Sequence, residues 1–155
     1  MTPEGMTARP SNHGPKETMD RLAAAVTARG MAVLARIDHA AAAAHVGLEL
    51  RPTEVLIFGN PKAGTPLMQA VQTIGIDLPL KALVWQDAAG QTWLAYSDPQ
   101  WLARRHGIDA GMERVVGAMA DALAAIAQAA TAGSPPRRGD AGAICARRYQ
   151  TAHVR

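Results

Sequence analysis

The chain has 155 residues, a length that suits one domain and buries roughly 68–70% of the unfolded surface, so a disulfide staple is not needed. Its only cysteine is Cys145, which excludes an intramolecular disulfide and a C-x-x-C redox site. The net charge of +3 points toward nucleic acid only until it is divided: residues 134–155 carry five arginines against Asp140, while residues 1–133 hold eleven basic and twelve acidic side chains.

The basic surplus therefore belongs to the stretch "GSPPRRGDAGAICARRYQTAHVR", which is rich in Pro, Gly and Arg and has no hydrophobic period. Residues 134–155 are expected to be a disordered, solvated tail rather than a nucleic-acid arm, and residues 1–133 a single compact domain. The N-terminal stretch lacks an apolar h-region, and no run approaches the roughly 18 apolar residues of a membrane span. These features predict a cytoplasmic chain with no membrane partner.

A short strand is expected near Gly5 to Arg9. Pro15 suits a first helical turn, and Met19, Leu22, Ala23 and Val26 follow at i, i+3, i+4, i+7 up to Gly30, which predicts a helix over 15–29. "MAVLARID" alternates, which predicts a half-buried strand with Met31, Val33, Ala35 and Ile37 on one side. "HAAAAAHVG" predicts a short helix capped by Asp38 and closed by Gly47. "TEVLIFG" is apolar on both faces and predicts a central strand.

In "LIFGNPKAGTPLM", Gly59 and Gly64 have the separation that opens a Walker A motif, but Thr65 and Pro66 stand where Lys and Ser/Thr should follow. The two glycines are instead expected to permit tight turns. Thr65 then predicts an N-cap and Pro66 a first helical residue, with Leu67, Ala70, Val71 and Ile74 forming the buried stripe. Residues 80–86 and 91–96 flank "DAAG", a hairpin signal with Gly90 at positive φ. Asp98-Pro99 starts a short helix to about His106, and Met112, Val115, Val116, Met119, Leu123 and Ile126 mark a helix over about 111–131. The sum is an α+β fold, a two-layer sandwich of a mostly antiparallel sheet with helices packed on one face.

The order of these motifs resembles the domain of unknown function 302 family. Gly30 to His39 fit G-x-x-V-x-x-x-I-D-H, and Ile57 to Met68 fit I-F-G-N-P-x-x-G-T-x-L-M. Asp77 to Lys81 fit D-L-P-x-K, and Leu94 to Pro99 fit a V-x-Y-x-D-P type end. The resemblance covers roughly residues 14–108. It implies a β-α-β-rich sandwich similar in architecture to the TATA-binding-protein-like (TBP-like) folds, without their DNA binding, and a homodimer. The family has no established activity that would carry a function to this chain.

Chemistry-bearing residues are few. Thr65 is expected to open a helix whose free N–H groups, with Lys62 nearby and Asn60 in the loop, could hold a small anion. Asp77 and Lys81 flank "LP" and could pair; with Tyr96 they form the constellation that a small hydrolase or isomerase would need. Asp38, His39 and His45 are the metal suspects. On a helix, however, His39 and His45 lie about 120° apart, and Asp38 with His45 supplies only two ligands where catalytic zinc usually needs three. No metal site is therefore expected. There is no G-x-S-x-G, H-E-x-x-H or G-x-G-x-x-G motif. The sequence favours a small-ligand-binding or accessory module, leaves catalysis open and names no cofactor.

Overall fold

A computed structural model of the chain describes residues 2–133. The predicted tail, 134–155, lies outside them. Five strands, β1 (Met6–Pro10), β2 (Ala32–Asp38), β3 (Thr53–Gly59), β4 (Leu80–Gln86) and β5 (Thr92–Ser97), form one sheet in the order β1-β5-β4-β3-β2. Every pairing is antiparallel. The helices are α1 (Pro15–Ala28), α2 (His39–His45), α3 (Pro61–Ala70), α4 (Pro99–Arg105) and α5 (Glu113–Thr131), with 3-10 turns at Gln72–Ile76 and Ala110–Met112. No helix among the described residues is long and apolar enough to cross a membrane.

Strand period explains the layering. Leu56 and Phe58 of β3, Leu80, Ala82 and Val84 of β4, and Leu94 of β5 point to one face, where they meet α1 and α5. From the helices come Met19, Leu22 and Val26, and Leu123, Ile126 and Ala130. Each fully buried Leu, Ile, Val, Phe or Met side chain contributes about 1.5–3 kcal/mol. α1 carries the chain from edge strand β1 across the sheet to the opposite edge, β2. The expected α+β sandwich is present, with its long helices on one face.

The other face has a different character. Val55, Ile57, Leu83, Trp85 and Trp93 alternate with the core residues; they are half-buried and belong to neither hydrophobic cluster. Trp85 and Trp93 are cross-strand partners and stack with centroids 6.3 Å apart.

Two local expectations are corrected. β2 was expected to be half-buried with Met31, Val33, Ala35 and Ile37 on one side. It is instead an edge strand, with Val33, Leu34 and Ile37 at 40%, 59% and 41% exposure. A bulge between Val33 and Ala35 puts Val33 opposite Phe58 on the helix face and Ala35 opposite Ile57 on the other. The second correction concerns α3. It begins at Pro61 rather than after Thr65, so Gly64, Thr65 and Pro66 are helical interior. Neither Gly59 nor Gly64 has a positive φ, so neither serves as a turn glycine.

Candidate functional site

β3 ends at Gly59, and Asn60 is extended, with its Oδ1 accepting from the Lys62 N–H at 3.0 Å. Asn60 is thus the cap and Pro61 the first helical residue, the pairing the sequence analysis placed at Thr65-Pro66. The N–H groups of Ala63 and Gly64 both donate to the Asn60 carbonyl, at 2.9 and 3.1 Å, and Pro61 has no N–H. Every donor of the first turn is used. The expected mechanism, in which free backbone N–H groups after Thr65 capture an anion, does not operate here.

The loop nevertheless forms one wall of an open cavity of about 770 Å³. That volume falls within the roughly 300–1,000 Å³ of small-molecule sites. The cavity lies between α3, the start of β2, the Leu78–Leu80 segment and the N-terminal half of α5. Met31, Leu34, Met68, Leu78, Val115 and Met119 make its lining largely apolar. Three cations stand among the lining residues, Arg29, Lys62 and Arg114, and no Asp or Glu does.

The ion pairs among the described residues leave these cations out. Asp20 and Glu54 hold Arg36, Asp20 also holds Lys16 at 2.8 Å, and Asp77 holds Arg105. The hydrogen bonds from Lys16 and Arg36 lower the Asp20 carboxyl below the usual aspartate range, and the bonds that Arg36 donates to Glu54 and Asp20 raise the Arg36 guanidinium. Lys62 lies in the first turn of α3 and Arg114 in that of α5, the helix end where the macrodipole disfavours positive charge.

Asn60, Lys62 and Thr65 line this cavity; Asp77, Lys81 and Tyr96 do not. Lys81 is exposed and lies opposite Ile57, on the face away from α1 and α5. Tyr96 lies opposite Ala82 and packs on the main core. Their side chains point to opposite sides of the sheet, so the Asp77–Lys81–Tyr96 constellation does not assemble.

Asp77 also does not pair with Lys81 as expected. Its Oδ2 sits 2.5 Å from His106 Nε2, Arg105 Nη1 approaches at 3.1 Å, and His106 Nδ1 lies 3.2 Å from Thr73 Oγ1. This chain of contacts ties the 3-10 turn at Gln72–Ile76 to the end of α4. Two of the metal suspects are engaged with backbone: Asp38 Oδ1 accepts from Ala41 N at 2.8 Å, and His45 Nδ1 lies 2.8 Å from the Ala41 carbonyl oxygen. No group of three potential metal ligands occurs among the described residues.

Arg29, Arg114, the three cavity methionines and His106 are not among the site candidates named from the sequence. Arg114 could have been noticed as a cation at the unfavourable end of a helix. The methionines carry no such mark, because Met119 fits an ordinary core stripe equally well.

Residues 7–126 match the family described as Domain of unknown function DUF302. The chain belongs to that family. A crystal structure of an uncharacterized conserved DUF302 protein from Bacillus stearothermophilus is similar, with a TM-score of 0.74 at 22% identity, covering 83% of this chain and 99% of that one. The likeness shows the DUF302 fold. Among curated proteins, "Fluoride-specific ion channel FluC 1" of Brucella suis is 47% identical over 115 residues, 74% of this chain and 45% of that protein. "Fluoride-specific ion channel FluC 2" of Brucella melitensis matches at the same identity over 43% of its length. This DUF302 chain therefore spans less than half the length of these curated relatives.

Proposed function

We propose that this DUF302 chain is a small-ligand-binding module without chemistry of its own, working as a homodimer. The cavity carries the reading: its volume suits a small organic molecule, and its apolar lining would gain from covering by one. The rival reading as a hydrolase loses its motive, since Asp77, Lys81 and Tyr96 share no site. Titration with the neutral apolar fluorophore N-phenyl-1-naphthylamine tests the proposal. Saturable binding that is abolished by Ala118→Trp, which puts a bulky ring on the cavity wall, supports it. Absence of saturable binding, or binding indifferent to Ala118→Trp, overturns it.

The similarity to proteins named as fluoride channels favours one addition. The described residues contain no helix able to span a bilayer, so we read the shared 115 residues as an accessory module attached to the conducting part of such proteins. The fluoride ion itself is a poor occupant of this cavity. Small anions are strongly hydrated, and an apolar lining does not replace that water. Sodium fluoride is expected to leave the thermal midpoint where sodium chloride leaves it.

A further inference from the structure

We infer that the cavity takes an amphipathic anion, an apolar chain ending in a single carboxylate or phosphate. The inference rests on the ligand-binding reading and adds the charge and shape of the ligand. Two independent observations meet here. The apolar lining includes Met31, Met68 and Met119, whose unbranched, polarizable side chains adapt to a flexible hydrocarbon rather than selecting one rigid outline. The polar contribution is one-signed: Arg29 follows α1, while Lys62 and Arg114 stand in the first turns of α3 and α5, with no carboxylate among the lining residues.

A cationic ligand has nothing to pair with at this site, and a neutral one leaves three charges unused. A short anion such as acetate has the charge but leaves the apolar surface uncovered. At about 30 Å³ per water-sized group, the cavity holds on the order of 25 such groups, ample for a ten-carbon chain and its headgroup. Arg29, Lys62 and Arg114 are the groups that would bind the headgroup, and the methionine-rich lining would cover the chain. Positioning by side chains also replaces the backbone capture that the capped α3 terminus cannot provide.

Displacement of N-phenyl-1-naphthylamine from the full chain by decanoate, decanol, decylammonium and acetate tests this. Decanoate is expected to displace the probe at about tenfold lower concentration than decanol, the smaller end of what a charge-assisted contact gives, with decylammonium and acetate weaker still. The triple substitution Arg29→Gln, Lys62→Gln, Arg114→Gln should remove decanoate's advantage and leave the neutral probe bound. Decanol as effective as decanoate, with the probe still bound, overturns the inference and leaves the ligand-binding reading standing. Failure of the probe to bind overturns both.

Sedimentation with phosphatidylglycerol vesicles, against phosphatidylcholine controls, separates a lipid source from a free one. Vesicle binding lost in Ala118→Trp supports the inference, with lipid as the source of the anion. Absence of vesicle binding, with decanoate still preferred, supports it with a free amphiphile as the source. Vesicle binding that survives Ala118→Trp and disappears in the triple variant overturns it, because the cations then serve a membrane surface and not the cavity.

Discussion

At the scale of single residues, Asn60 and Thr65 show how two equally good local signals are resolved. Asn60-Pro61 and Thr65-Pro66 each supply a capping side chain followed by a proline that can begin a helix. The chain uses the first pair, and Pro66 becomes an interior proline that leaves the Lys62 carbonyl without its helical donor. Asn60→Ala is therefore expected to cost about 1 kcal/mol, whereas Thr65→Ala, at an exposed helical position, should stay within about 0.5 kcal/mol. Urea denaturation of the two variants checks this. A larger loss at Thr65 than at Asn60 would restore the later helix start.

Asp87 makes a second residue-scale prediction. The Trp93 indole N–H donates to its Oδ2 at 2.8 Å, the N–H groups of Gln91 and Ala89 bond its Oδ1, and together they lower its carboxyl below the usual range. Trp93 is the largest cause. A depressed folded value means that the unfolded chain binds more protons between the two values. The contribution to stability is then complete above the unfolded aspartate value of about 3.9 and is lost as pH falls through the folded value. An NMR titration of the Asp87 carboxyl should show this depression, and Trp93→Phe should move the midpoint up. An unchanged midpoint in Trp93→Phe would assign the shift to the backbone donors instead.

At the scale of elements, Asp77 joins the 3-10 turn at Gln72–Ile76 to α4 through His106 and Arg105 and is not itself among the cavity's lining residues. Asp77→Asn keeps the shape but removes the charge, which is expected to lower stability by about 1–3 kcal/mol. Binding of the apolar probe should be unaffected, and a loss of binding at unchanged stability would place Asp77 in the site after all. The elements themselves were legible where a period ran unbroken: the stripes of α1 and α5, the doubly apolar β3, and the hairpin closed by Gly90 at φ 83°. β2 departs from its alternating pattern at the bulge between Val33 and Ala35, which is fixed by pairing with β3 and has no local signature. The cavity was half legible for a related reason. Asn60, Lys62 and Thr65 sit in one segment, but Arg29 and Arg114 reach it from helices that are distant in sequence and near only after folding.

At the scale of the whole molecule, the sheet presents the argument for self-association. Val55, Ile57, Leu83, Trp85 and Trp93 form an apolar field on the face away from α1 and α5, flanked by Ile37 at 41% exposure on the edge strand. Contiguous apolar surface of this kind marks an interaction site, and a two-fold dimer lets one such face cover another. Leu83 sits on a middle strand of the sheet between Val55 and Ala95. As a half-buried position on the face away from α1 and α5, it can hold a carboxylate in the folded monomer, where water reaches it. In the dimer, Leu83→Glu would bury a carboxylate from each protomer in the apolar interface, and that desolvation is expected to dissociate the pair. Sedimentation velocity at micromolar concentration should give twice the 16.3 kDa chain mass for the natural sequence and the chain mass for Leu83→Glu, with unchanged far-ultraviolet circular dichroism. A natural chain that sediments at 16.3 kDa refutes the dimer outright. A Leu83→Glu variant that stays dimeric moves the interface off this face, with the exposed edge of β2 as the next surface to alter.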